Sequence, residues 1–159
     1  MAAPKVKAVR DLVKGADLEP DRGYTPFGGA NGSFLLAKLL GSHVQNISMV
    51  RTSDLSIQEL SETNVVYIGR RNRFLHEQSS ATHMELPLLF SSEGIHNLHP
   101  QANEPDLYID HFSQEPAEEG YTYALATHLP GPLDGNDVEI FESSRGAGYQ
   151  AAVIAFTDP

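Results

Sequence analysis

The stretch "VVYIGRRNRF", which runs from Val65 to Phe74, decides the fold. A compact apolar run ends at Gly69, and such a run bounded by polar residues is typical of a strand buried on both faces of a sheet. Three arginines follow within four positions, although the whole chain has 11 lysines and arginines against 21 acidic residues. In an open α/β sheet, ligands bind beyond the carboxyl ends of the parallel strands. The stretch therefore predicts a parallel strand with a binding site directly after it.

The composition excludes several classes of protein. The formal net charge of −10 disfavours direct nucleic-acid binding, which depends on neutralising phosphates. No run of 18 apolar residues is present, so membrane insertion is not expected. The chain has no cysteine, which rules out disulfides and zinc–thiolate sites. The composition is compatible with a cytoplasmic location, or with an extracytoplasmic one if the domain belongs to a membrane-anchored parent.

The 159 residues predict a single α/β domain, residues 1–159, with an N-terminal helix or linker over 1–23 and an irregular insertion or β-excursion over 75–119. The alternation of helices and strands favours a three-layer sandwich with a mixed, mainly parallel sheet. The short loop between the last two strands makes that pair antiparallel. The expected elements are a helix over 31–41, a strand over 44–53, a short helix over 54–60 with a capping box from Ser56 to Glu59, strands over 63–69, 121–129 and 137–143, and a closing helix over 145–156.

The five arginines after Lys38 all lie at or beyond the carboxyl end of a predicted strand. If those strands are parallel, the arginines share one edge of the sheet, beside glycine-rich helix starts in "GGANGS" and "SSRGAG" that offer free N–H groups to an anion. The alternative is that the arginines are solvated or pair with acids of the same chain. The predicted ligand-binding residues are Gly28, Gly29, Asn31, Gly32, Arg51, Arg70, Arg71, Asn72, Ser144, Arg145 and Gly146.

Catalytic and metal-binding patterns are weak. His96, His99, Asp110 and His111 supply ligand types that a first-row metal accepts, but HExxH is absent and the spacing has no helical context. GxSxG is also absent, and no nucleophile–base pair follows from spacing. The sequence therefore predicts no catalytic residue, no cofactor and no metal, with those four residues as the alternative metal ligands.

Five segments resemble one known family in their order along the chain: "GYTPFGGANGSFLLAKLLG", "RTSDLSIQEL", "NVVYIGRRNRF", "GYTYALATHLPGP" and "FESSRGAGYQAAVIAFTDP". They are similar to an uncharacterised bacterial α/β domain usually found C-terminal to a winged-helix DNA-binding domain, often with a membrane segment between. The resemblance covers residues 24–159 and implies a Rossmann-like or periplasmic-binding-like unit with a sensory or regulatory role. Asn72 matches the family asparagine, whereas Arg70 and Arg71 depart from the family pattern.

We therefore expect a non-enzymatic sensory or regulatory domain. Its partner would be a small anionic molecule or a protein, bound at the C-terminal edge of the sheet. The alternatives are a metal-dependent enzyme of the hydrolase type and a pure dimerisation module, and a homodimer is compatible with each of them.

Overall fold

The computed structural model describes residues 26–70, 86–111, 120–131 and 135–157. The predicted N-terminal helix over 1–23 lies outside these ranges. The described elements are helix α1 (Phe27–Leu40), a 3₁₀ turn (Thr52–Asp54), helix α2 (Ile57–Glu62), strands β1 (Val65–Gly69), β2 (Leu88–Phe90), β3 (Ile95–Asn97), β4 (Leu107–Tyr108), β5 (Ala124–Pro130) and β6 (Asp137–Ser143), and helix α3 (Gly146–Thr157).

The central sheet has the order β1-β6-β5. β1 pairs with β6 in parallel, with Val65 opposite Val138 and Gly69 opposite Glu142. β5 and β6 pair antiparallel, as the short loop between them predicted. The protein is thus α/β with a mixed sheet, but the expectation of a mainly parallel sheet is wrong, because β1–β6 is the one parallel pair among the described strands.

Helices contact both faces of the central sheet, because β6 alternates its side chains between two apolar clusters. On one face, Val138 and Ile140 pack with Leu60 of α2. On the other face, Phe141 packs with residues of α1 and α3, including Val153. β1 lies at the edge of the sheet, so its residues are half-buried or exposed and not buried on both faces as predicted.

A second sheet of three short antiparallel strands, β2-β3-β4, forms within the predicted insertion. It lies in the described residues 86–111, inside the range 75–119 for which the sequence predicts an irregular insertion or β-excursion. Phe90 and Ile95 of this small sheet pack against Leu125 of β5. This contact fixes the small sheet close to the end of the central sheet where β5 begins.

The capping box predicted at the start of α2 is confirmed. Ser56 Oγ accepts the backbone N–H of Glu59 at 3.1 Å, and the Glu59 carboxylate accepts the Ser56 N–H at 2.9 Å. These hydrogen bonds hold the pKa of Glu59 below its usual range, the Ser56 backbone N–H having the largest effect. A helix of six residues depends on such end contacts, since few of its N–H groups find partners within it.

The structure corrects the prediction for residues 44–53. They form no strand, and residues 44–51 are exposed. A β-prone segment becomes a strand only where another strand accepts its hydrogen bonds, and no described strand pairs with this one. The 3₁₀ turn from Thr52 to Asp54 follows instead.

Helix α1 begins at Phe27, four residues earlier than predicted, and includes glycines that the sequence places in a loop. Glycine inside a helix usually costs about 0.5–1 kcal/mol. Here the glycines allow α1 to lie directly against α3, since a Cβ on Gly28 would overlap the carbonyl group of Gly146. No helix among the described residues is long and apolar enough to cross a membrane.

Candidate functional site

Two chain segments meet where the parallel strands end. Because β1 and β6 run in the same direction, Arg70 after β1 and Ser144 and Arg145 after β6 lie at one edge of the central sheet. The guanidinium of Arg70 donates a hydrogen bond to the backbone carbonyl of Ser144 at 3.2 Å. The structure therefore brings together three of the residues predicted to bind a ligand.

A cavity of about 300 Å³ opens at this edge. Its walls come from three places: the residues after β1 and β6, the β2–β3 turn with its flanking strands, and the chain that connects β4 to β5. The lining residues are Arg70, Phe90, Ser92, Glu93, Gly94, Ile95, Tyr108, Ile109, Asp110, Tyr123, Ser144 and Arg145. The cavity thus lies between the central sheet and the small sheet, at the position where α/β proteins bind ligands.

Asp110 holds the two sheets together at the cavity wall. Its carboxylate accepts hydrogen bonds from the Thr122 hydroxyl at 2.9 Å and from the Tyr123 backbone N–H at 2.8 Å, and a third from the Ser144 hydroxyl. A carboxylate with three donors already has much of its accepting capacity occupied. We infer that Asp110 fixes the shape of the cavity.

Arg70 also contacts a group of polar side chains behind the cavity. It hydrogen-bonds the Tyr149 hydroxyl, which belongs to a side chain that is 2% exposed. Burial raises the pKa of Tyr149, and the nearby Arg70 partly opposes this. Burial, with Glu142 and Tyr149, raises the pKa of Tyr67 to about 12. Both phenols are therefore protonated at neutral pH and available as hydrogen-bond donors, and Tyr67 donates to the carbonyl of Arg70.

The predicted glycines have a different location from the arginines. Gly28 and Gly32 pack against α3, where the nearest atoms to an added Cβ belong to Gly146 and Val153, respectively. Gly29 is buried and Asn31 is half-buried in the same helix. None of these four residues, nor Gly146, lines the cavity. The "GGANGS" segment thus serves a close helix–helix contact, and its backbone is not part of the cavity wall.

Arg51 is also absent from the cavity lining, because the strand expected to carry it to the edge does not form. It is exposed and precedes the 3₁₀ turn. Arg71 and Asn72 lie outside the described residues.

The four residues considered as metal ligands occupy separate environments. The His96 ring nitrogen Nε2 lies 3.0 Å from the Ser91 hydroxyl, whereas the His111 ring stacks on Tyr121. His99 is exposed after β3, and Asp110 has the three donors described above. Within the described ranges, no group of three or more His, Asp or Glu side chains could hold a metal ion.

The aromatic residues of the cavity were missed from the sequence. Phe90, Tyr108 and Tyr123 come from three different strands or their ends. Their spacing gives no sign that they meet. One local signal was present: Tyr121 and Tyr123 alternate along an extended segment, which places both rings on one side of the chain.

Comparison with protein-family models, with curated proteins and with solved structures found no match. The resemblance noted from the sequence motifs therefore stays a prediction.

Proposed function

We propose that this chain is a non-enzymatic regulatory domain that binds a small anionic ligand in the cavity at the carboxyl edge of the central sheet. One observation carries the proposal: Arg70 and Arg145, which follow the two parallel strands, line the same cavity. Two arginines that far apart in sequence line one cavity because the strands before them are parallel. Arginine presents a planar set of donors that matches a carboxylate or phosphate.

The contacts of Arg70 support a binding role. The Ser144 carbonyl and the Tyr149 hydroxyl orient its guanidinium, and both acceptors are neutral. A guanidinium held by neutral acceptors keeps its charge and loses less side-chain freedom when a ligand binds. Such an arginine is pre-organised for an anion.

The acids in the lining do not remove this preference. Asp110 already accepts three hydrogen bonds from the chain. The Glu93 side chain is 74% exposed, so water screens its charge. The volume of about 300 Å³ lies at the lower end of the range for small-molecule sites.

The proposed mechanism is a population shift. The cavity wall combines residues of the central sheet with the β2–β3 turn of the small sheet. A ligand that contacts both sheets would favour the arrangement in which they lie together. The size of this effect equals the difference between its binding free energies for the two arrangements. Helices on both faces of the central sheet and a cavity at its carboxyl edge also support the finer proposal of a Rossmann-like unit, as the resemblance implies.

The test is a thermal-unfolding series with inorganic phosphate, sulfate, succinate and benzoate, each at an ionic strength matched with sodium chloride. An anion at ten times its Kd should stabilise the fold by about 1.4 kcal/mol. That corresponds to a rise in Tm of roughly 3–5 °C for a chain of this size. We expect at least one of the four anions to give such a rise.

Two arginine variants make the test specific. Arg70→Gln should largely remove the rise in Tm, because it removes one of the two arginine charges in the cavity lining. Arg51→Gln, the matched control at an exposed arginine outside the cavity lining, should keep it. If no anion stabilises the protein beyond sodium chloride, or if both variants respond alike, the anion site is refuted. A Tm that then rises with protein concentration favours the dimerisation module.

A further inference from the structure

Three aromatic side chains line the cavity that contains the two arginines. Phe90 ends β2 and is 6% exposed, Tyr108 ends β4, and Tyr123 precedes β5. The rings of Tyr108 and Tyr123 meet edge to face, with centroids 5.3 Å apart and an interplanar angle of 62°. Tyr108 and Tyr123 come from the two different sheets and their rings pack on each other, and Phe90 lines the same cavity, so the three residues give the cavity an aromatic surface.

A purely inorganic anion gains little from contact with such an aromatic surface. Phosphate or sulfate offers oxygens on every side, and oxygens that face aromatic or aliphatic carbon lose their hydration without gaining a hydrogen bond. Besides the three aromatic residues, Ile95 and Ile109 also line the cavity. An aromatic ring bound there would be covered by apolar atoms and would gain ring–ring contacts beyond simple burial.

The charges of the lining indicate a single negative charge on the ligand. Two arginines and two acids contribute, so the formal charge of the lining is zero. A second negative charge on the ligand doubles the attraction to the arginines and the repulsion from the acids alike, so a lining of zero formal charge gives no net gain to offset the added cost of removing that charge from water. A monoanion places its one charge beside the arginines and its uncharged part against the rings.

We infer that the ligand is a small aromatic monocarboxylate, with its carboxylate at Arg70 and Arg145 and its ring against Phe90, Tyr108 and Tyr123. This assignment rests on the proposed function, since it names the chemical class of the anion bound at the same cavity. The cavity volume of about 300 Å³ suits a molecule of one or two rings.

Isothermal titration with four probes tests the class at constant ionic strength and pH. Benzoate has both the charge and the aromatic ring, cyclohexanecarboxylate has the charge on a saturated ring, acetate has the charge alone, and benzamide has the aromatic ring alone. We expect benzoate to bind about two- to tenfold more tightly than cyclohexanecarboxylate, from the ring–ring contribution. Acetate and benzamide should each bind more weakly than both ring carboxylates.

Tyr123→Leu is the variant that tests the aromatic wall. The hydrogen bonds of Tyr123 to Asp110 and to Ser143 use its backbone, so leucine retains them. The variant should reduce the ratio of benzoate to cyclohexanecarboxylate affinity towards one. Phe34→Leu, at an exposed aromatic residue of α1 outside the cavity, is the control and should leave the ratio unchanged. Tyr108→Leu serves if circular dichroism shows that Tyr123→Leu does not fold.

The outcomes separate the two proposals. If cyclohexanecarboxylate binds as tightly as benzoate and both depend on Arg70, the aromatic class is overturned and the anion site stands. If benzamide binds as tightly as benzoate, or if neither the carboxylates nor inorganic phosphate bind in an Arg70-dependent way, both the aromatic class and the proposed function are overturned. Selective benzoate binding that Arg70→Gln and Tyr123→Leu each weaken supports both.

Discussion

The close contact between α1 and α3 leads to a prediction for Gly28→Ala. A Cβ at this position would overlap the backbone carbonyl group of Gly146. Both sides of the contact are backbone, so no side-chain rotation can relieve the overlap. To accept the methyl group, the N-terminal ends of the two helices must move apart by on the order of 1 Å, given the usual separation of non-bonded atoms.

Overpacking of this kind costs about 1–3 kcal/mol, and a backbone clash belongs at the upper end of that range. Alanine has a higher helix propensity than glycine by at most about 1 kcal/mol, and less near a helix end. The free energy of unfolding should therefore fall by about 2 kcal/mol. This corresponds to a decrease in Tm of roughly 4–8 °C.

The measurement is urea denaturation followed by circular dichroism, with Gly146→Ala as the matched control. A Cβ at Gly146 would lie 3.4 Å from Pro26 Cβ and 3.5 Å from the Gly28 nitrogen, which are ordinary contacts. This control should change the stability by less than about 0.5 kcal/mol. Equal stability of the two variants would refute the close backbone contact.

Two further predictions concern a buried phenol and a helix cap. The raised pKa of Tyr67, caused by burial and then by Glu142, means that its contribution to stability is complete below pH 10 and is lost as the pH rises through about 12. The free energy of unfolding lost is at most about 2.7 kcal/mol and, after allowance for the partial exposure of Tyr67, about 1–2 kcal/mol. Tyr67→Phe should therefore make the free energy of unfolding fall less steeply over this pH range. An unchanged slope would contradict the assignment to Tyr67. Ser56→Ala removes the hydroxyl that accepts a backbone N–H at the start of α2 and should cost about 1 kcal/mol in urea denaturation. Ser61→Ala in the same helix should change the stability by a few tenths of a kcal/mol, so a similar cost for both variants would show that the cap contributes nothing special.

Local patterns predicted the elements that depend on local physics. The capping box at Ser56 is a contact between residues three apart, and a sequence contains all the information for it. The strand 137–143 and its antiparallel pairing with β5 followed from an apolar run and a short loop. The sequence analysis placed the arginines at one edge on the condition that the strands before them are parallel. β1 and β6 are parallel, and this brings Arg70 and Arg145 to one edge.

The predictions that depended on distant partners were less successful. Residues 44–53 have strand propensity, but a strand forms only where a neighbouring strand accepts its hydrogen bonds, so Arg51 does not reach the sheet edge. Glycines 28 and 32 resemble an anion-binding turn as a sequence, whereas their missing Cβ atoms serve the contact with α3.

The sequence by itself determined the α/β class, the mixed sheet and the position of arginines after two of its strands. These properties depend on hydrophobic periodicity and on chain order, which are readable along one dimension. Only the tertiary structure decided that the small sheet packs over the start of β5, which places its Phe90 and Tyr108 in one cavity with Tyr123 and the arginines. This arrangement depends on packing between segments that are distant in sequence. Burial of apolar area, and not local propensity, selects which segments pack together.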